Sequence, residues 1–307
     1  MKETFGQKTR RSHKRNQRVV MFWCAFVFAF VIAGVWLFRG TLFQNDSGAS
    51  SSGTNQSRHD AGGTADSRQK STDVTQAPMD HEVCQKLQDL VSQDQRVQQV
   101  IDNCEIYPED ILKMLSRNLD MLNFVLEYPE KVGQVFAETV GEVEGGEVPL
   151  LLQYDQRWGY GDYGNSSVAV SGCGPACLSM VITSLTGDDT ITPYVVAQYA
   201  SEQGYYVPGA GTAWTLMSEG AKHFGVIGEE LPLTKSIMEG VLKEGRPIIC
   251  SMRPGDFTTT GHFIVITGIK DGQFTVNDPN STERSNMLWD YDTLKPQISN
   301  LWAFQAL

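Results

Sequence analysis

The chain has 307 residues, 41% of them hydrophobic, and a formal net charge of −11. That is enough apolar material for one full core and a smaller second one. Removing the eight basic residues and one acidic residue of positions 1–39 from the totals of 25 and 36 leaves 17 basic against 35 acidic residues, a surface that repels nucleic acid, so no nucleic-acid partner is expected.

Residues 1–18 carry seven Lys or Arg against Glu3 alone and are expected to form a basic cytoplasmic tail. Residues 19–38, VVMFWCAFVFAFVIAGVWLF, are uncharged throughout. A helix of that length is about 30 Å long at about 1.5 Å per residue, which matches the hydrocarbon layer of a bilayer. The rival, a cleaved signal peptide, has a shorter apolar core and a small-residue cleavage site. The expectation is a single-pass anchor in the cell membrane with the remainder of the chain outside the cell. Residues 39–79 are rich in Ser, Gly, Thr, Asp and Gln and predict a flexible linker, because such a composition cannot bury a core.

From residue 80 to 144 apolar residues recur at helical spacing, as in Val83, Leu87, Leu90 and Val91 and then Val97, Val100 and Ile101. In YPEDILKML, Pro108 suits a first helical turn, and Glu109 and Asp110 suit its positive end. A helical module of three to five helices follows, with no chemistry of its own. Residues 147–307 change to short β-type runs separated by Gly, Pro and Asn, with a few helices, and any chemistry is expected there.

That block contains SGCGPACLSMV, residues 171–181. Glycines at 172 and 174 allow a tight turn and close approach of another molecule, and Pro175 suits the first turn of a helix running to about Leu185. Cys173 then stands at a helix N-terminus, where exposed amides and the helix dipole favour the nucleophilic thiolate. Cys177, one turn on, is expected in the core. Of the other cysteines, Cys24 falls in the apolar span, and Cys84, Cys104 and Cys250 are scattered, with neither a disulfide framework nor paired zinc spacing. Cys84 and Cys104 are compatible with a bridge and equally with free core thiols.

A cysteine nucleophile needs a base, and the base an orienting group. His13, His59 and His81 fall in the tail, the linker and the helical module, and His223 in GAKHFGV reads as a helix end before a glycine cap. His262 opens the apolar strand GHFIVITGI after the loop RPGDFTTTG, where a rigid strand holds the ring and the loop leaves it open to substrate. The run continues into a hairpin with Lys270, Asp271 and Gly272 at its turn. A three-residue loop with Gly272 left-handed would set residue 264 opposite Asp278 and put His262 and Asp278 on one face, whereas a two-residue loop would separate them. For the oxyanion of a tetrahedral intermediate, Gln153 and Gln156 in VPLLLQYDQRWG are both available amides beside the Cys173 backbone N–H.

VPLLLQYDQRWG, GCGPACLSMV, GHFIVITGI and VNDP together resemble the Gln, Cys, His and Asp motifs of the bacteriocin-processing, or double-glycine, cysteine peptidases and their surface relatives in Gram-positive bacteria, within the papain-like clan. The resemblance covers about residues 147–307. It implies an α+β fold with a central helix packed on an antiparallel sheet, Cys173 as nucleophile, His262 as base, Asp278 as orienting acid, and Gln153 rather than Gln156 at the oxyanion. It implies hydrolysis of a peptide or protein substrate through a thioacyl-enzyme without metal or organic cofactor. A cell-wall peptide amidase of the same clan and an inactive surface-binding module are the alternatives. Gln153 lies twenty positions before Cys173, farther than in the transporter-linked members, and their exporter function is not carried over.

Double-glycine peptidases also resemble one another in cutting after a Gly-Gly preceded by a helix with apolar residues four, seven and twelve positions before the cut. In VFAETVGEVEGGEVP those positions, counted from Gly146, are Val143, Val140 and Val135. A Gly-rich linker is the plainer reading of the segment. The other is an intramolecular contact of residues 135–146 with the cleft, as a self-processing site or pseudo-substrate.

Overall fold

A computed structural model describes residues 80–307. The tail, apolar span and linker of residues 1–79 lie outside the described residues, and among the described residues no helix is long and apolar enough to cross a membrane.

Four α-helices come first, each set by a short apolar stripe. In α1 (His81–Leu90), Asp80 caps the start by accepting from the Glu82 N–H at 2.9 Å, and Val83 and Leu87 are buried. α2 (Val97–Asp102) buries Val97 and Val100. α3 (Glu109–Leu115) begins one residue after Pro108, which sits in the extended cap position and not inside the first turn, and buries Ile111, Leu112 and Leu115. α4 (Leu122–Lys131) buries Leu122, Phe124, Val125 and Tyr128. Cys84 and Cys104 are free thiols.

Helical structure stops at Lys131, short of the expected 144. The valine spacing over residues 135–146 imitates a helical stripe, but the backbone donors there are used across the fold. Phe136 N–H donates to the Arg157 carbonyl at 2.8 Å and Val140 N–H to the Asp189 carbonyl at 2.8 Å. Gly133 and Gly141 take positive φ, which interrupts any helix.

The apolar faces of α1–α4 do not close on one another alone. Their core includes Tyr154, Tyr160 and Ala169 from the following block, with the Phe124 and Tyr160 rings stacked at 4.3 Å. Burial of a side chain such as Phe124 stabilises by about 1.5–3 kcal/mol, so the helices and the β-rich block are joined by core packing.

In the later block, α5 (Cys173–Thr186) is apolar nearly all round, and ten of its residues are buried. Gly187 ends it in the left-handed conformation. α6 (Pro193–Glu202), capped by Thr192, packs against α5. An antiparallel six-stranded sheet is built from β1 (Val226–Glu230), β2 (Ile248–Met252), β3 (His262–Lys270), β4 (Gln273–Asn277), β5 (Leu288–Trp289) and β6 (Ile298–Ala306), in the spatial order β1-β6-β2-β3-β4-β5. Alternation along β2 and β3 serves two cores. Ile249, Phe263 and Val265 pack with Met180 and Val181 of α5. Ile248, Cys250, Ile264 and Ile266 pack with Met238 of α7 (Lys235–Lys243). The result is the expected α+β arrangement of a buried helix against an antiparallel sheet.

Candidate active site

Cys173 is the first residue of α5, and its flanking glycines are required by internal packing. A Cβ at Gly172 would lie 2.4 Å from the Val168 carbonyl oxygen, and one at Gly174 would lie 2.7 Å from Thr212 Oγ1. The expectation that these glycines admit another molecule is therefore corrected, because the space they leave is filled by the protein itself. Cys173 remains half-buried at the wall of a cavity of about 550 Å³ that His262 and Gln153 also line. Cys177 is fully buried and its thiol is pushed well above the ordinary range by that burial, as is Cys250, so both behave as core residues.

The β3–β4 hairpin brings His262 to Asp278 by a route other than the expected one. Its turn has two residues, Asp271 and Gly272, both with positive φ, and Lys270 pairs with Gln273. A two-residue turn alone would put His262 and Asp278 on opposite faces. A bulge restores the parity: Gly268 pairs with Thr275 but Ile266 with Val276, so Thr267 has no partner and the register moves by one residue. Continued past the pair Val265 and Asn277, it sets residue 264 opposite 278. His262 Nε2 then meets Asp278 Oδ1 at 2.7 Å.

Asp278 is fully buried and its partners account for that burial. Oδ1 also accepts from the Asn280 N–H at 2.7 Å, and Oδ2 accepts from Arg284 Nε at 2.6 Å. Burial opposes the carboxylate charge, but His262 and then Arg284 outweigh it and hold the carboxyl below the usual range. For His262, burial favours the neutral ring. The Asp278 carboxylate, with a smaller contribution from the neighbouring Cys173, overcomes it and pushes the imidazole up to about 10. With Nε2 engaged by Asp278, Nδ1 is the ring nitrogen left for the thiol.

Gln153 is 3% exposed and ties the two halves of the site together. Its backbone N–H donates to the Pro279 carbonyl at 2.7 Å, next to Asp278, and its Nε2 donates to the Ala169 carbonyl at 2.5 Å, just ahead of α5. Gln156 turns away to Glu127 Oε2 at 2.5 Å and does not line the cavity. His223 stacks on the Tyr199 ring at 4.2 Å and is likewise outside it.

Two contributors were not foreseen. The helical module supplies one wall of the cavity through Leu90, Met114, Arg117, Asn118 and Leu119. It is tied to the loops of the site by Asn118 Nδ2 donating to the Asn280 carbonyl at 2.9 Å and by Thr282 Oγ1 donating to Asp120. The other is Arg284, in DPNSTER, whose spacing from Asp278 carries no signal until the turn between them is formed. Conversely, none of residues 135–146 lines the cavity. Val140 is instead buried in the core around α5, where Arg157 Nη1 donates to its carbonyl at 2.7 Å. The intramolecular contact of this segment with the cleft is thus corrected, because none of its residues lines the cavity and Val140 and the Phe136 and Val140 N–H groups are engaged elsewhere in the fold.

The sequence model of the Peptidase_C39 like family matches residues 146–305, just over half of the chain, and the chain belongs to that family. That description is of a peptidase-like family, and the chain's own architecture is the α+β fold described above. Among solved structures, the peptidase domain of Streptococcus ComA, a bi-functional ABC transporter involved in a quorum sensing pathway, is similar at 17% identity over 44% of this chain and 89% of that one, with a TM-score of 0.35. A protein described as a C39-like peptidase from Bacillus anthracis is similar at 12% identity over 52% of this chain and 94% of that one, with a TM-score of 0.31. No curated protein matches the chain.

Proposed function

We propose that this chain is a cysteine peptidase that hydrolyses peptide bonds through a thioacyl-enzyme, with Cys173 as nucleophile, His262 as acid and base, and Asp278 as the orienting carboxylate. The observation that carries the reading is the bond from His262 Nε2 to Asp278 at 2.7 Å, with His262 and Cys173 lining one cavity. Asp278 holds the ring with a proton on Nε2 and favours imidazolium, which pairs with a Cys173 thiolate. The thiolate attacks the substrate carbonyl carbon. Gln153 Nε2 and the Cys173 backbone N–H donate to the resulting oxyanion. Imidazolium then gives its Nδ1 proton to the leaving amine as the C–N bond breaks and the thioester remains. A water molecule, deprotonated by the now neutral His262, attacks the thioester and releases the acid and the thiol.

Within this reading the anchor of residues 19–38 holds the peptidase at the outer face of the cell membrane, where peptide substrates reach it from outside. The charge asymmetry across the span supports that orientation: seven basic residues precede it and an acidic chain follows.

Full-length protein treated with a thiol-directed electrophile tests the site. Rapid labelling of Cys173 that His262→Ala abolishes, together with cleavage of members of a peptide library, is the expected result. Labelling at the ordinary cysteine rate with no turnover on peptides or cell-wall fragments would make the protein a binding module and overturn the proposal.

A further inference from the structure

Asp278 carries more than the histidine requires. Its carboxylate is fully buried, Oδ1 faces His262 Nε2 at 2.7 Å, and Oδ2 faces Arg284 Nε at 2.6 Å. The segment between the two residues is folded for this contact. Ser281 caps the short helix Thr282–Ser285 by accepting from the Arg284 N–H at 3.1 Å. Ser285 Oγ accepts from the Asp278 N–H at 2.9 Å, and the Arg284 carbonyl accepts from Trp289 Nε1 at 3.1 Å. Backbone on both sides of Arg284 is therefore fixed, and its guanidinium reaches Asp278 from the wall of the same cavity that holds Cys173.

We propose that Arg284 is a positioning residue of the site, gripping the far oxygen of Asp278 so that the near oxygen stays in the plane of the His262 ring and the carboxylate stays charged. The inference rests on the reading of Cys173, His262 and Asp278 as a triad. A planar guanidinium holds a carboxylate oxygen in a fixed direction, which an ammonium on a flexible stem does not. Without it, a buried carboxylate next to an imidazolium can turn about its Cβ–Cγ bond or take up a proton, and either change loosens the ring. The titratable groups near Asp278 are His262 from β3, Cys177 from α5, Tyr154 from the segment before it, and Arg284. Asp120 of the helical module stands beyond Thr282. Among these, Arg284 is the cation that opposes a proton on Asp278 without itself joining in proton transfer.

The effect is read on full-length protein by following iodoacetamide labelling of Cys173 against pH, resolved by mass spectrometry because Cys84 and Cys104 are also free and partly exposed. Removing a cation raises the proton affinity of every group near it. Arg284→Gln should move the acid limb of the labelling profile up by about one pH unit, a tenfold slower reaction on that limb, and lower the plateau. Arg284→Lys keeps the charge but not the fixed direction, so its acid limb should stay in place and its plateau should fall several-fold. A wild-type limb and plateau in Arg284→Gln would overturn the proposal. If Arg284→Gln does not fold, as shown by circular dichroism, Arg284→Lys decides it, and a wild-type plateau there overturns it. Failure of the triad reading looks different, because the unsubstituted protein would then label Cys173 no faster than Cys84.

Discussion

Thr267 Oγ1 and Thr275 Oγ1 lie 2.8 Å apart at the point where the β3–β4 ladder skips a residue. Thr267 has no partner in the register, and the hydroxyl contact holds the extra residue in place. The parity of every residue from Ile266 back to His262 depends on it. Deleting Thr267 while keeping the Asp271–Gly272 turn should therefore rotate His262 to the other face of the strand. The expected outcome is complete loss of rapid Cys173 labelling and of peptide turnover. Thr267→Ala keeps the residue count, and should retain activity with a stability loss of about 1 kcal/mol. Labelling kinetics and thermal unfolding of the two variants check this.

The imidazole gives a pH dependence of stability with a definite sign. The folded His262 is pushed above its ordinary value, so the stability it contributes is fully present below about pH 6.5 and is lost as pH rises towards about 10. Asp278 is held below its ordinary value, so its contribution is present above about pH 4 and is lost as pH falls further. Thermal unfolding of the wild type should decline between neutral and alkaline pH more steeply than that of His262→Phe. Equal slopes in the two proteins would show that His262 is not held charged.

The chemistry of the site was more legible than its geometry. A cysteine at the start of an apolar helix, a histidine opening an apolar strand and an aspartate at the end of the next strand each have local signatures, and the structure brings Cys173, His262 and Gln153 to one cavity, with Asp278 buried behind His262 at 2.7 Å. The three-residue turn was the wrong device for the right face. Asp271 accepts a positive φ of 53°, which makes a two-residue turn available, and the compensating bulge is set by pairing between strands and not by composition. The valines of residues 135–146 misled because their spacing fits a helix, whereas long-range backbone bonds to Arg157 and Asp189 decide the conformation. The wall supplied by the helical module was hidden for a similar reason, since Asn118 meets Asn280 across 162 positions of sequence.

Gln153 should act on turnover without acting on the thiol. Its Nε2 uses one hydrogen on the Ala169 carbonyl, leaving the other for an oxyanion at the cavity. Removal of one such donor costs about 10²–10³ in kcat, and this is the expected fall for Gln153→Ala. The labelling rate of Cys173 should change little, because alkylation by iodoacetamide forms no oxyanion. Equal losses in turnover and labelling would show that Gln153 supports the backbone around the site and does not stabilise the reacting oxygen.

Arg117 tests whether the helical wall selects substrate. It projects from the turn after α3, lines the cavity, and donates from Nη1 to Thr259 Oγ1 at 3.3 Å in the loop that precedes His262. The other arginines among the described residues are committed: Arg96, Arg157, Arg246 and Arg284 sit on carboxylates, and Arg253 donates to the Ile298 carbonyl. Arg117 thus has one long, exposed hydrogen bond and a guanidinium otherwise open to the cleft. A bond of that kind adds little to folding, so Arg117→Ala should shift stability by no more than about 0.5 kcal/mol. Because this wall and the Thr258–Gly261 loop line the same cavity as Cys173, the same change should alter kcat/KM several-fold, and by different factors for different peptides of a library. The rate of Cys173 labelling by iodoacetamide, too small to touch the wall, should be unchanged. Uniform kcat/KM values across the library in wild type and variant alike would mean that the module closes the fold without reading the substrate.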